Sequence, residues 1–215
     1  MGIFLRRGRA PVLGTALGDI AIGAIVHLNE ASAPVDYYVA KHGYEDTLNG
    51  SARTLLVRKE CYKKNAWGRR NENAYAESII NDWLCNTYPS LLDANIRTIA
   101  GNTTIYYTIG NGDGSISTMQ VPAFALSATE LGRSAANANV EGEALPIASL
   151  LQKATLDGEG VQQWTRTPHN ANAASVYYLT ATAGMTTYSP IGVFGFRPCT
   201  TLPSNTIVGD DMLIA

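Results

Sequence analysis

The sequence predicts a single α+β domain, and three observations predict it. Runs rich in Val, Ile and Tyr open the chain and return at its end, while one strongly helical stretch and a loop-rich middle lie between them. The 215 residues are 46% hydrophobic, enough for one sizeable core, and nothing in the length requires two. No internal repeat and no linker divides the chain. The expected organisation is an exposed arm over residues 1–18, one domain over 19–205 and a tail over 206–215.

The arm carries Phe4, Arg6, Arg7 and Arg9 ahead of an apolar run from Val12 to Leu28. That order imitates a secretion signal, yet Pro11, Gly14, Gly18 and Asp19 interrupt what would be its apolar region. Asp19 and His27 also argue against a membrane helix, since ionisable groups in hydrocarbon are costly. Arg6 stands where a myristoylation signal needs Ser or Thr.

From Ile20, "IAIGAIVHL" reads as a strand; the turn "NEASAP" leads to a second, "VDYYVAKH", and "RTLLVRKECY" is a third. In the third, Leu55, Val57, Lys59 and Cys61 share one face and Leu56, Arg58 and Glu60 the other. All three are expected to pair antiparallel. The period then changes in "NAYAESIINDWLCNTYPS", where Tyr75, Ile79 and Trp83, with Ile80 and Leu84 beside them, form one apolar stripe on a helix. Asn73 is the expected N-cap, Glu77 complements the positive helix start, and Pro89 prevents continuation. Ser90 is expected to cap a short second helix through "LLDANI".

A Tyr-rich strand, "TTIYYTI", the turn "GNGDGS" and the apolar run "VPAFALS" come next. Residues 133–159 read as a long surface excursion, relieved by a short helix in "PIASLLQKA". Strands return in "ASVYYLTA", "MTTYS" and "VFGFR", and these are expected to close the same sheet that the first strands open.

Composition excludes several functions. Only 16% of residues are charged, against about 25% in a typical soluble protein, so the surface must be covered by Ser, Thr, Asn, Gly, Ala and Tyr. Such surfaces suit packing against other subunits. Net charge is −2 with a pI near 5.9, which leaves no positive field for phosphates, so nucleic acid is not an expected partner. Cys61, Cys85 and Cys199 cannot all pair within one chain and show no C-x-x-C spacing, so reduced, largely buried thiols are expected. His27, His42 and His169 have no second ligand at metal spacing, and neither metal nor cofactor is expected. "GNGDGS" lacks the Glu of a calcium loop and the Lys-Ser/Thr of a phosphate loop, and reads as a hairpin turn. No nucleophile turn accompanies His169, and the acids Glu45-Asp46, Glu141 with Glu143, and Asp210-Asp211 lie in polar segments. No catalytic residue is identified.

Four motifs in order carry a resemblance: Trp83-Leu84 with Tyr88 after a helix, "FALSATEL" in mid-chain, "WTRTP" at 164–168 and "GFRP" at 195–198. Over roughly Ile20 to Pro203 the chain resembles a domain family of unknown function from Gram-positive bacteria and their prophages, whose members carry W-L, "FLLS-x-E-E", "W-x-R-S-P" and "G-V-R-P". The resemblance implies a C-type-lectin-like fold, of the kind also seen in formylglycine-generating enzymes and phage variable proteins. Thr165 replaces a usual second aromatic, Thr167 replaces Ser and Phe196 replaces Val. The copper-binding cysteine pair of the formylglycine-generating enzymes has no counterpart here.

Trp83, Trp164, Arg166 and Arg197 are the expected structural anchors: each Arg stands near a proline and, once buried, needs carboxylates or carbonyls for its five donors. Asn170, Asn172, Tyr177, Tyr178 and Tyr188 are candidate ligand contacts, although alternation on a strand turns half of the tyrosines inward. The expected function is that of a non-enzymatic phage or prophage virion protein, a capsid decoration or tail-associated module. It would assemble in the bacterial host cytoplasm as a homo-oligomer through the arm residues Phe4, Arg6, Arg7 and Arg9. The alternative is a receptor-binding adhesin that recognises a host-surface glycan or protein through the 164–196 surface. An unrecognised enzyme would require a cleft that gathers His169 with an acid and a nucleophile.

Overall fold

The computed structural model describes residues 14–214. Its first strands are β1 (Thr15–Ala16), β2 (Ile25–Glu30), β3 (Ala33–His42), β4 (Arg53–Arg58) and β5 (Lys63–Ala66). A hairpin of β6 (Thr103–Gly110) and β7 (Asp113–Val121) follows, then a small one of β8 (Ala154–Leu156) and β9 (Glu159–Val161). The closing strands are β10 (Gln163–Pro168), β11 (Val176–Leu179), β12 (Met185–Tyr188), β13 (Val193–Phe196), β14 (Cys199–Pro203), β15 (Ile207–Val208) and β16 (Leu213–Ile214). The helices are α1 (Asp46–Asn49), α2 (Ile79–Asn86), α3 (Ala94–Ala100) and α4 (Ala148–Leu151).

The expected α+β, C-type-lectin-like class is corrected by this inventory: the chain is mostly β, with 40% of it in strands and 16% in helix, and its helices are short. Local chemistry explains the difference. The apolar stripe around Trp83 supports only the two turns of α2, because Ser78 caps the helix by accepting from the Asn81 amide at 3.0 Å. Asn73, the expected cap, is buried elsewhere. The expected second helix also starts later, at Ala94, and the Ser90 hydroxyl instead bonds back to the Thr87 carbonyl.

Two five-stranded sheets organise the molecule, in the orders β14-β4-β3-β2-β16 and β12-β11-β10-β13-β5. In the first, β14 lies antiparallel to β4 and β16 parallel to β2, whereas the strands expected to close it, β11, β12 and β13, instead form the second sheet with β10 and β5. The β2–β3 hairpin turns through Ala31 and Ser32, both at positive φ, the turn geometry whose twist matches that of paired strands. Residues assigned to the arm and the tail join the body: Thr15–Ala16 pairs with β15 and Leu17 is fully buried. Phe4, Arg6, Arg7 and Arg9 lie outside the described residues. The segment 133–159 is not the surface excursion expected, because Glu141, Leu145, Ile147, Leu151 and Ala154 are all buried.

Candidate functional site

β10 is buried along its whole length, and it carries Arg166 into the centre of the molecule. The guanidinium is fully saturated. Nε donates to the Tyr106 carbonyl at 2.8 Å, Nη1 to the Ala125 carbonyl at 2.9 Å and to Glu130 Oε2 at 2.6 Å, and Nη2 to Glu130 Oε1 at 3.0 Å and to the Glu141 carbonyl at 3.4 Å. Glu130 also accepts from the Ser127 amide at 2.8 Å, and Ser127 Oγ accepts from the Glu130 amide at 3.0 Å, a reciprocal box closing one turn of chain. Glu141 accepts from the Thr108 amide and the Thr167 hydroxyl. Burial alone would weaken the guanidinium's hold on its proton, but Glu130 reverses this and leaves Arg166 firmly charged. The irregular segment between β7 and α4 is thereby bound to β6 and β10. This is a fold anchor without access to solvent.

Arg197 is also buried, but its partners are poorer. It reaches only the Leu151 and Lys153 carbonyls, at 3.4 and 3.3 Å, and its Nε has no partner among the described residues. Trp164 is buried, and its indole N–H donates to the Asn65 carbonyl at 3.1 Å. Trp83 is half-buried among Tyr62, Tyr88 and Phe196, with the Lys63 ammonium 4.8 Å from its ring centre.

The candidate contact residues divide into two places. At one, Asn170 and Asn172 serve loop structure: Asn170 donates to the Asn139 side chain at 3.1 Å, and Asn172 accepts from the Ala174 amide at 3.0 Å while donating to Ser175. Tyr177 is buried beside them, stacked on His169. Asn73, fully buried, donates to the carbonyls of His169, Asn172 and Ser175, which ties this loop down. At the other place, alternation on β11 turns Tyr178 to the opposite face. There Trp164, Tyr178, Phe194 and Tyr188 form a continuous aromatic cluster, with Phe194 4.5 Å from both Trp164 and Tyr178 and 5.3 Å from Tyr188. Tyr188 is 51% exposed.

Beside this cluster lies an open groove of about 410 Å³. Phe194 and Val193 supply its apolar wall, Gln162 and Thr180 to Thr182 its amide and hydroxyl groups, and Lys64 its charge. An aromatic face next to neutral hydrogen-bonding groups suits a polar, uncharged ligand. No carboxylate, imidazole or thiol lines it. Among these residues Thr180 to Thr182, Val193 and Phe194 lie in the 164–196 segment that the sequence singled out; Lys64 on β5 and Gln162, between β9 and β10, are brought to it by pairings that no motif announces.

A second cluster surrounds Gly142, whose positive φ of 85° brings the backbone against the Glu45 carboxylate. Glu45 is buried, and burial first, then the nearby Glu130 charge, raise its carboxyl above the ordinary 4.5. A carboxyl that binds its proton more tightly when folded stabilises the fold below the unfolded value, and this contribution is lost as pH rises through the folded value. Glu45→Gln is therefore expected to raise the melting temperature at pH 7, with the gain over wild type fading as pH falls through the raised folded value and gone below about 4.5. Melting curves recorded across that range check it, and equal stability at neutral pH would contradict it.

Among the described residues no helix is long and apolar enough to cross a membrane, and no group of three His, Cys, Asp or Glu side chains is placed to hold a metal ion. Comparison with known families finds one match, the family described as "Domain of unknown function (DUF6273)", over residues 51–204. No curated protein and no solved structure matches the chain.

Proposed function

The chain belongs to the DUF6273 family of domains of unknown function, whose description names no activity, and we propose from its surface that it is a non-enzymatic phage or prophage virion module. In this reading it is a capsid decoration or tail-associated part that assembles in the bacterial host cytoplasm. The observation that carries the reading is the segment from Asn170 to Phe196, which contains no Asp, Glu, Lys, Arg or His and yet presents Tyr188, Ile191 and Val193 at 51%, 54% and 59% exposure. Exposed apolar residues grouped in a segment without charge mark an interaction site. The basic segment containing Phe4, Arg6, Arg7 and Arg9 is the second attachment element.

Since Leu17 is buried, the informative truncation removes residues 2–13 only. It is expected to abolish attachment to the larger particle while leaving the melting temperature unchanged; attachment at the wild-type level would contradict the role of that segment. The neighbouring genes are expected to encode capsid or tail proteins, and a metabolic operon would overturn the virion reading.

The groove at Phe194 favours a second reading, a receptor-binding module for a host-surface glycan or protein. A glycan array probed with the wild-type chain and with Phe194→Ala separates the two. Signals lost in the variant support the receptor reading, and a blank array from both leaves the groove without a glycan role.

A further inference from the structure

We propose that two copies of this chain pair through the open edge of β12, in antiparallel register about a two-fold axis at Thr186. The contact is separate from the basic segment and rests on the same chargeless 170–196 surface that supports the virion reading, to which it assigns one occupant, a second copy of the chain. In the second sheet β12 is a terminal strand, and among the described residues no other segment bonds to the backbone of Met185, Thr186 or Thr187 outside its pairing with β11. An edge of this kind presents unpaired N–H and C=O groups, and natural sheets guard such edges with charge, proline, bulges or a covering element. The other terminal strand of the same sheet follows that rule, since β5 carries Lys63 and Lys64 and packs against α2. β12 follows none of it. Its sequence is Met-Thr-Thr-Tyr, inside the chargeless segment, and it is regular in register with β11 from Leu179 to Val176.

The register follows from the hydrogen-bond alternation. The Thr180 amide bonds to the Gly184 carbonyl, so along β11 and β12 the bonded pairs continue at Tyr178 with Thr186 and at Val176 with Tyr188. The backbone groups of Met185 and Thr187 therefore point to the open side. Antiparallel pairing centred on Thr186 sets Met185 against the partner's Thr187 and Thr187 against the partner's Met185, which satisfies all four groups on each strand. On the exposed face Thr186 meets the partner's Thr186, and Tyr188 lies over the partner's Gly184, where the missing side chain leaves room for an aromatic ring. Uncharged and self-matching, this edge meets a second copy without repulsion. Tyr188, Ile191 and Val193, exposed alongside, supply apolar area to the same contact.

The hairpin strand β7 is the competing edge, but the Asn139 side chain already donates to the Gly114 carbonyl on it. The test measures the mass of the full chain in solution by light scattering over a concentration series, for wild type, Thr186→Lys, Thr186→Glu and Thr187→Pro. Thr186→Lys sets two like charges directly opposite each other, and Thr187→Pro removes an outward N–H that the monomer does not use. Each variant is expected to halve the wild-type mass with little change in melting temperature, and an equal mixture of Thr186→Lys and Thr186→Glu chains is expected to restore it. Removing residues 2–13 is expected to leave this pairing intact, so failure of the arm's role and failure of this contact are distinguishable. A wild-type chain that is monomeric up to its solubility limit overturns the proposal, as does a mass that survives Thr186→Lys but falls with Thr118→Lys on β7.

Discussion

Replacing Arg166 with Met is expected to cost about 3–5 kcal/mol, because breaking a buried ion pair from one side leaves an uncompensated charge in the core. For a chain of this length that corresponds to a fall in Tm of roughly 6–20 °C. The charge left behind is specific: the Glu130 carboxylate would keep only the Tyr44 hydroxyl and the Ser127 amide, and Glu141 would lose its nearest cation. Adding Glu130→Gln to Arg166→Met should therefore recover part of the loss. Arg197→Met provides the contrast. That guanidinium has no carboxylate partner, its two carbonyl contacts are long, and burial weakens its hold on the proton, so its removal should change stability by about 1 kcal/mol or less. Thermal melts of the four proteins check the whole set, and equal losses from Arg166→Met and Arg197→Met would show that the carboxylate pairing is not what matters.

Trp164→Ala is the second large effect, also expected to cost about 3–5 kcal/mol, as large-to-small changes of buried aromatic residues do. Trp164 has 1% of its surface exposed, packs against Phe194 and Tyr178, and donates to the Asn65 carbonyl on β5. The same substitution removes the ring that backs Phe194, so it should loosen the groove and the Tyr188 face together. Trp164→Phe, which keeps an aromatic ring but not the N–H, should lose less. Denaturant unfolding gives both values; a loss of under about 1 kcal/mol for Trp164→Ala would mean that the cluster collapses without penalty.

The strands were legible where alternation or β-branched runs persisted: "VDYYVAKH" became β3, "VYYL" β11 and "VFGF" β13. The helix around Trp83 was legible in type but not in length, since its apolar stripe continues into residues that take a tighter turn before Ser78. The Ser127-x-x-Glu130 spacing is a capping signature visible in the sequence, and it marks Glu130, the partner that Arg166 needs. No regular helix follows it, so the signature lacked the periodic run that usually gives it meaning. Asp157-Gly158 likewise signals the β8–β9 hairpin, both residues lying at positive φ, but strands of three residues are too short for alternation to register. Glu141 was legible only as a polar loop residue, because its burial depends on Thr108 and Thr167, which lie far away in the chain. One wall of the groove lay in the 164–196 segment that the sequence singled out, but its other wall had no local signal; Lys64, Gln162 and Phe194 become neighbours only through the parallel pairing of β10 with β13 and the antiparallel pairing of β13 with β5.

If the chargeless face around β12 is an assembly surface, the amides that point away from β11 must be covered in the assembled protein. Residue-resolved hydrogen exchange on the full chain measures this directly. The amides of Met185 and Thr187 are expected to exchange as slowly as those of Thr186 and Tyr188 at high protein concentration, and to speed up on dilution or in Thr186→Lys. Exchange of Met185 and Thr187 at free-peptide rates at every concentration would contradict it.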